Sequence, residues 1–291
     1  MKRIHLEFES IGTHWIIDIH DAPTRLSKTQ ISDMVKGRID EFDKVYSRFR
    51  PDSLITKIAH ESGTYPMPPD FPPLYDLYHR LYTLTNGAFT PLIGNALVEA
   101  GYDADYSLKS RPIQPVAKWE DVMEYKNPDL VTHVPALLDY GAGGKGYLVD
   151  LIGELLEKND IHHYCIDAGG DILYKANSDK ALTIGLENPK DLKTVIGTVE
   201  LKNQSICGSA INRRAWGEYH HIMNPHTMRP VEDIIATWCV ADSGLLADSL
   251  ATALFFVDPS YLAEFKYEYV IVRSDMSVHT SPDFPGTLFT S

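Results

Sequence analysis

The chain has little positive charge, few cysteines and no long hydrophobic run. Its 291 residues include 27 Lys and Arg against 40 Asp and Glu, which gives a formal net charge of -13. Nucleic acids are bound through basic surfaces, so this balance argues against a nucleic-acid partner. No stretch approaches ~18 consecutive apolar residues, so no transmembrane segment is expected. An anionic ligand would need local positive charge from a metal, from helix N-termini or from a few Lys and Arg residues.

The three cysteines, Cys165, Cys207 and Cys239, are far apart and odd in number. A disulfide framework needs paired cysteines, so buried free thiols are predicted instead. Residues 1–9 alternate polar and apolar side chains and lack the hydrophobic core of a signal peptide. The sequence as written therefore predicts a cytoplasmic protein, whereas a chain whose leader had been trimmed would be extracytoplasmic.

Hydrophobic periodicity predicts both helices and strands along the chain. Ser27 is expected to cap the first helix, and Asn86-Gly87 to end the second. Strands that follow one another through 163–201 favour antiparallel pairing, which indicates an α+β fold of mixed, largely antiparallel sheets flanked by helices. The chain is predicted as a single domain, 1–291, built as one unit or as two closely packed lobes. The predicted strands are 4–19, 136–140, 163–168, 172–175, 181–187, 195–201, 237–241 and 267–273; the predicted helices are 27 to near 47–51, 74–86, a short one within 88–103, 147–158 and 245–256.

An aspartate and a threonine stand four residues apart in the apolar, helix-forming run 247–254. Four residues is one helical turn, so Asp248 and Thr252 share a face. A carboxylate and a hydroxyl in apolar surroundings are the hard oxygen donors that suit Mg²⁺ shared with a phosphate. The alternative is an ordinary core helix, in which the threonine bonds to its own helix and the aspartate has a structural partner.

A glycine-rich turn at 139–146 places four glycines and Lys145 just ahead of a predicted helix. Glycines let backbone groups approach a phosphate closely, and the lysine adds positive charge. A P-loop is excluded, because Gly146 follows the lysine where Ser or Thr is required and the glycine spacing differs. The segment is either a ligand-binding loop or a plain tight turn.

Two further segments carry candidate site residues. Gly169, Gly170 and Asp171 follow a predicted strand, as a hairpin turn or as a backbone cradle at the sheet edge. The adjacent histidines His220 and His221 point to opposite faces of a strand, so that one lines a site while the other faces solvent. No Cys or carboxylate near them has the spacing of a closed zinc site, and a structural or surface role is the alternative.

Taken together, these segments resemble the FAD:protein FMN transferases, or ApbE proteins, over nearly the whole chain. The resemblance lies in seven stretches that occur in the same order as in the family. They are Ile11-Gly12-Thr13, Ser47 to Ser53, Asn86 to Pro91, Leu138 to Gly146 with Asp150, Asp167 to Asp171, His220 to Pro225, and Ala247 to Leu254.

The resemblance implies an ApbE-like α+β protein that binds FAD in a cleft between two lobes. With Mg²⁺ as cofactor and FAD as substrate, such an enzyme transfers FMN to a threonine or serine hydroxyl of a flavoprotein subunit and releases AMP. The acceptor pattern that the family implies is Ser/Thr-Gly-Ala-Ser/Thr.

The resemblance also implies roles for individual residues. Asp248 and Thr252 would bind the metal through their side chains, and Ala142 through its carbonyl oxygen. The catalytic residues would be His221, Asp248 and Lys145, with His221 or Asp248 as the general base. The residues implied at the FAD are Ile11, Ser47, Arg48, Phe49, Ala88, Phe89, Thr90, Asp139, Lys145, Gly169, Gly170, Asp171, His221 and Ile222.

Two other functions fit the same residues. A pyrophosphatase that uses water as the acceptor would convert FAD to FMN and AMP. A protein that only binds or carries FAD is favoured by departures from the family pattern at Thr90, His226 and Met228.

Overall fold

The computed structural model describes residues 2–289 as an α+β fold. No helix in this range is long and apolar enough to cross a membrane. The helices are α1 (Lys28–Tyr46), α2 (Leu54–His60), α3 (Phe71–Leu84), α4 (Gly94–Glu99), α5 (Trp119–Val122), α6 (Gly144–Glu157) and α7 (Gly244–Ala253), with 3-10 turns at Pro91–Ile93 and Pro259–Leu262. The strands are β1 (Lys2–Ser10), β2 (Thr13–Ala22), β3 (Gly63–Pro66), β4 (Met123–Lys126), β5 (Asp129–Thr132), β6 (Tyr164–Ala168), β7 (Ile172–Lys175), β8 (Leu182–Asn188), β9 (Asp191–Leu201), β10 (Ser205–Ala210), β11 (Ala215–Trp216), β12 (Tyr219–His220), β13 (Met223–Asn224), β14 (Arg229–Pro230), β15 (Ile234–Ala241), β16 (Tyr267–Arg273), β17 (Val278–Thr280) and β18 (Gly286–Leu288).

The centre of the fold is an eight-stranded sheet in the order β1-β2-β6-β7-β10-β15-β16-β17. A three-stranded sheet, β18-β9-β8, covers part of it, and a second three-stranded sheet, β3-β5-β4, contributes Tyr65 and Leu130 to the core that the main sheet shares with the helices. Every strand pair among residues 2–289 is antiparallel, which confirms the predicted α+β class and leaves no parallel component in the sheets.

Alternation along the central strands divides the core between the two faces of the main sheet. Cys207 and Cys239 are direct partners across β10 and β15, and their side chains join the core beneath the helices. Their neighbours Ile206 and Val240 face the other way and pack with the β8–β9 hairpin. Because side chains of a strand alternate between faces, one pair of strands serves both cores. Both thiols are buried and free, and Cys165 is free and half-buried.

Helix α1 begins, and helix α3 ends, at the capping residues that the sequence predicts. Ser27 caps α1 in a reciprocal capping box with Gln30, and the helix then buries a stripe that includes Ile31 and Ile39. After α3, Asn86 and Gly87 both have positive φ, at 51° and 86°. This left-handed turn stops the helix and leads the chain toward the site.

Helices α6 and α7 cross at two glycines. A side chain on Gly146 or on Gly244 would overlap the carbonyl oxygen of the other residue, so the backbones touch. Asp248 of α7 accepts the backbone N–H of Gly146 at 2.9 Å, near the start of α6. Asp150 of α6 accepts the N–H groups of Gly244 and Leu245 at 2.7 and 2.8 Å, at the start of α7. Each helix therefore has its N-terminus capped by an aspartate of the other.

The predicted strand at 136–140 is wrong. Its side chains alternate as in a strand, but its backbone N–H groups bond to isolated carbonyls of helical segments, Ala136 to Ile58 of α2 and Asp139 to Pro91 of a 3-10 turn. No neighbouring strand is there to form a ladder with it among the described residues. The sequence analysis also missed elements that the structure contains, namely α2, α5, β3, β4, β5, β10, β11, β13, β14, β17 and β18.

Candidate active site

A cavity of about 450 Å³ opens at one end of the main sheet, beside the N-terminus of α6 and the face of α7 that carries Asp248 and Thr252. Most of the predicted site residues lie on its wall, although they come from distant parts of the chain. Those on the wall are Ala88, Phe89, Thr90, Asp139, Ala142, Lys145, Gly169, Gly170, His221, Ile222, Asp248 and Thr252. Those that are not on the wall are Ile11, Ser47, Arg48, Phe49 and Asp171.

The Asp248 and Thr252 side chains both line the cavity from one face of α7. Asp248 is 5% exposed, and its Oδ2 accepts the Gly146 N–H. Among the described residues its Oδ1 has no hydrogen-bond partner. The Thr252 hydroxyl lies 3.3 Å from the Ser209 hydroxyl and does not bond back to its own helix. The pair therefore presents an unused carboxylate oxygen and a hydroxyl to the same space.

The surroundings of the Asp248 carboxyl disfavour its anion. Burial raises its pKa to about 8, with a further contribution from the Asp171 carboxylate. Lys145 and the Gly146 N–H act in the opposite direction. A cation placed against the free oxygen would favour the ionised form.

Lys145 is held by a buried counter-ion behind the cavity wall. Its Nζ lies 2.7 Å from Asp171 Oδ2 and donates to the Ala168 carbonyl at 3.1 Å. Asp171 is only 1% exposed, and neither of its oxygens has a conventional hydrogen bond among residues 2–289. Burial alone would lower the pKa of Lys145, but Asp171 and Asp248 raise it above its usual value. The lysine is therefore charged at neutral pH.

Asp139 is supported in a similar way by a buried arginine. Arg48 Nε donates to Asp139 Oδ2 at 2.5 Å, and its Nη1 donates to the Tyr102 carbonyl at 2.8 Å. The guanidinium lies over the rings of Phe49 and Tyr102, at 4.1 and 4.7 Å from their centroids. The second Asp139 oxygen accepts the Gly141 N–H at 2.6 Å, which shapes the glycine-rich turn.

The two histidines differ in role. His221 lines the cavity, and burial followed by the charge of Arg214 lowers its pKa to about 3, so that its imidazole is neutral. The prediction that the other histidine faces solvent is wrong. His220 is buried, with its ring 2.8 Å from the Val231 carbonyl oxygen and accepting the Ile222 N–H at 3.2 Å. These two contacts with the backbone hold the His220 ring in the interior, so it does not face solvent.

The sequence analysis missed the loop after β10 and the strand residues beside it. This loop brings Asn212, Arg213 and Arg214 to the cavity rim. Arg213 forms an ion pair with Glu187 at 2.9 Å, and Asn212 donates to the Pro189 carbonyl at 2.7 Å. The signal in the sequence that could have revealed this loop was the pair of consecutive arginines in a chain with an excess of acidic residues. The other wall residues that were missed include Gly208, Ser209, Ala210, Trp238 and Phe256.

Comparison with known proteins shows which family the chain resembles over most of its length. The ApbE family model matches residues 11–269. The FAD:protein FMN transferase of Buchnera aphidicola is 22% identical over 88% of this chain and 80% of that protein. The enzyme of the same name from Escherichia coli strain K12 is 21% identical over 94% of this chain and 82% of its own length.

Solved structures show the same fold. The ApbE protein of Thermotoga maritima superposes with a TM-score of 0.84 at 20% identity, over 97% of both chains. The flavin transferase ApbE of Vibrio cholerae gives 0.79 at 20% identity, over 96% of both chains. With the family model covering most of its length, the chain belongs to the ApbE family.

Proposed function

We propose that the protein is a FAD:protein FMN transferase, which moves the FMN half of FAD onto a threonine or serine hydroxyl and releases AMP. The observation that carries this proposal is that the Asp248–Thr252 oxygen pair, Lys145 and His221 meet at one cavity. Oxygen donors suit a metal-bound phosphate, a lysine suits its negative charge, and a neutral imidazole can accept a proton. The relatives named above carry this activity in their names.

Magnesium is the metal that these donors fit best. No group of three or more His, Cys, Asp or Glu side chains among residues 2–289 could hold a metal ion by itself. Asp248 Oδ1, the Thr252 hydroxyl and the Ala142 carbonyl would instead share the ion with substrate phosphate oxygens and water, as Mg²⁺ prefers. Magnesium bound there would neutralise the pyrophosphate and stabilise the departing AMP.

The remaining wall residues would hold FAD. The positive-φ glycines Gly169 and Gly170 would bring backbone close to the ligand, and residues 88–90 together with Ile222 would contact it from their part of the wall. Asp139 would bond to polar groups of the dinucleotide. Residues 47–49 and Asp171 would act from behind the wall, as supports for Asp139 and Lys145.

His221 is the better candidate for the general base. One oxygen of Asp248 is engaged by the Gly146 N–H, and the other is the oxygen left for a metal. The Nδ1 of His221 is buried without a hydrogen-bond partner among the described residues, so Nε2 would accept the proton. As the acceptor hydroxyl loses this proton, its oxygen bonds to the FMN-side phosphorus. The bond from that phosphorus to the bridging oxygen breaks, and AMP leaves with the electron pair.

The test is an assay of FAD with Mg²⁺ and a peptide that carries the Ser/Thr-Gly-Ala-Ser/Thr pattern. Transfer predicts AMP release together with an FMN-sized mass gain on the peptide, measured by mass spectrometry. A peptide in which both hydroxyl residues are replaced by Ala is the control and should gain no mass.

Other outcomes identify the alternatives. AMP release that is equal with and without the peptide, with no mass gain, would indicate a pyrophosphatase. Tight FAD binding with neither product would indicate a carrier.

A further inference from the structure

The charged side chains on the cavity wall fall into two groups. Most have an opposite charge within ion-pair distance, so they contribute little net charge to a ligand. These internally neutralised pairs are Asp139 with Arg48, Lys145 with Asp171, and Glu187 with Arg213. Only Asp248 and Arg214 line the cavity without an acid–base partner within residues 2–289. A bound metal would compensate the negative charge of Asp248. The positive charge of Arg214 would then be the one without an opposite charge.

Arg214 is placed where it can reach the reacting groups. It lies in the loop between β10 and β11, and its guanidinium carbon is 5.9 Å from the Tyr102 ring centroid. Its carbonyl oxygen accepts the backbone N–H of His221 at 3.2 Å, which ties the loop to the histidine. Arg214, His221 and Asp248 all line the same cavity. The arginine is therefore positioned on the same cavity as the proposed base and metal ligand.

We propose that Arg214 binds the pyrophosphate of the dinucleotide substrate from the loop side of the cavity. The proposal rests on the proposed function, since it names one contact made by that substrate. The planar guanidinium donates two parallel hydrogen bonds to a phosphate, which a lysine cannot do. The two positive charges of Mg²⁺ and the one negative charge of Asp248 sum to one positive charge. Arg214 supplies the second, which matches the two negative charges of a dinucleotide pyrophosphate.

The test compares two neighbouring arginines and two flavins. Arg214→Gln and the matched control Arg213→Gln are titrated with FAD and with riboflavin, which lacks phosphate, in Mg²⁺ buffer and again in EDTA. Flavin fluorescence and calorimetry measure the dissociation constants. For Arg214→Gln we expect FAD binding to weaken by roughly tenfold to a hundredfold and riboflavin binding to change by less than about twofold.

The controls separate phosphate recognition from general damage. Arg213→Gln should change FAD affinity by less than about threefold, because its charge is already paired with Glu187. Arg214→Lys should recover part of the lost affinity, because the charge returns without the bidentate geometry. Thermal unfolding of each variant confirms that it is folded.

Each outcome tests the role of Arg214, the proposed transferase function, or both. Equal weakening in the two glutamine variants, or equal weakening for FAD and riboflavin, would overturn the role of Arg214 while wild-type transfer of FMN still supports the function. Selective weakening in a protein that transfers no FMN would support Arg214 and count against the transferase. A wild-type protein that binds no FAD in either buffer would overturn both.

Discussion

The two sides of the cavity are built differently. On the helix side, Asp248 and Asp171 are buried, and backbone groups of α6 and β6 hold Asp248 and Lys145. On the loop side, Arg213 is 52% exposed and is held by a partly exposed glutamate. Buried charges cost several kcal/mol when a partner is removed, whereas exposed pairs contribute about 0–1 kcal/mol. The helix side is therefore the more rigidly held of the two, and the loop side is held only by weak, exposed pairs such as Arg213–Glu187.

The largest effect is expected on the helix side, at Asp248. Asp248→Asn keeps an oxygen for the Gly146 N–H but removes the charge that would hold a metal. AMP release from FAD should fall at least about a thousandfold, on the order of the loss seen when a main charge-stabilising group is removed. Circular dichroism should show an intact fold. Near-normal turnover in Mg²⁺ would contradict the metal assignment.

The second effect concerns stability on the same side and depends on pH. Burial raises the pKa of Asp150 to about 6, although two backbone N–H groups favour its anion. The folded protein thus holds this proton more tightly than the unfolded chain does. The stabilisation is fully present below about pH 4 and is lost as pH rises through about 6, by roughly 3 kcal/mol in total.

Asp150→Asn cannot ionise, so its free energy of unfolding should lack this decline. Urea denaturation of both proteins at several values between pH 4 and 7 measures the difference. Parallel curves would show that Asp150 does not titrate in this range.

A third change tests how tightly the two helices are joined. Gly146→Ala places a methyl group against the Gly244 carbonyl and should cost about 2 kcal/mol of unfolding free energy. The matched control is Gly37→Ala in α1, where an added Cβ meets nothing within 4 Å. That control should stabilise the protein by about 0.5–1 kcal/mol. Equal effects at the two positions would show that the crossing is not close-packed.

The smallest effect is expected on the loop side. Arg213→Gln breaks only the exposed ion pair with Glu187, so unfolding should change by less than about 1 kcal/mol. Raising the ionic strength should reduce the difference between wild type and variant still further. A loss comparable to that of Gly146→Ala would mean that the loop is as rigid as the helix side.

The parts of the site that could be predicted from the sequence are those that depend on local spacing. Asp248 and Thr252 share a helix face because they are one turn apart, and the glycines before α6 predict a turn. Residues 136–140 show the limit of such reasoning. Alternation there matches a strand, but only the folded chain reveals that its hydrogen-bonding neighbours are helical segments and not strands.

Contacts between distant segments could not be read from the sequence. The burial of Asp171 behind Lys145 depends on a turn and a helix that meet only in the fold. Strand β10 was missed because its Ser, Cys, Gly and Ala residues have little intrinsic preference for strands. Arg214 was missed because the sequence does not show which charged side chains lack an oppositely charged neighbour in the folded protein.

The mutual capping of α6 and α7 also places the Asp248 carboxyl beside the backbone of the residue that follows Lys145. Lys145 precedes Gly146, whose N–H donates to Asp248 Oδ2. The Lys145 side chain is held separately, by Asp171 and by the Ala168 carbonyl oxygen. Both groups are thus held by contacts within the protein and do not have to be assembled when the substrate arrives.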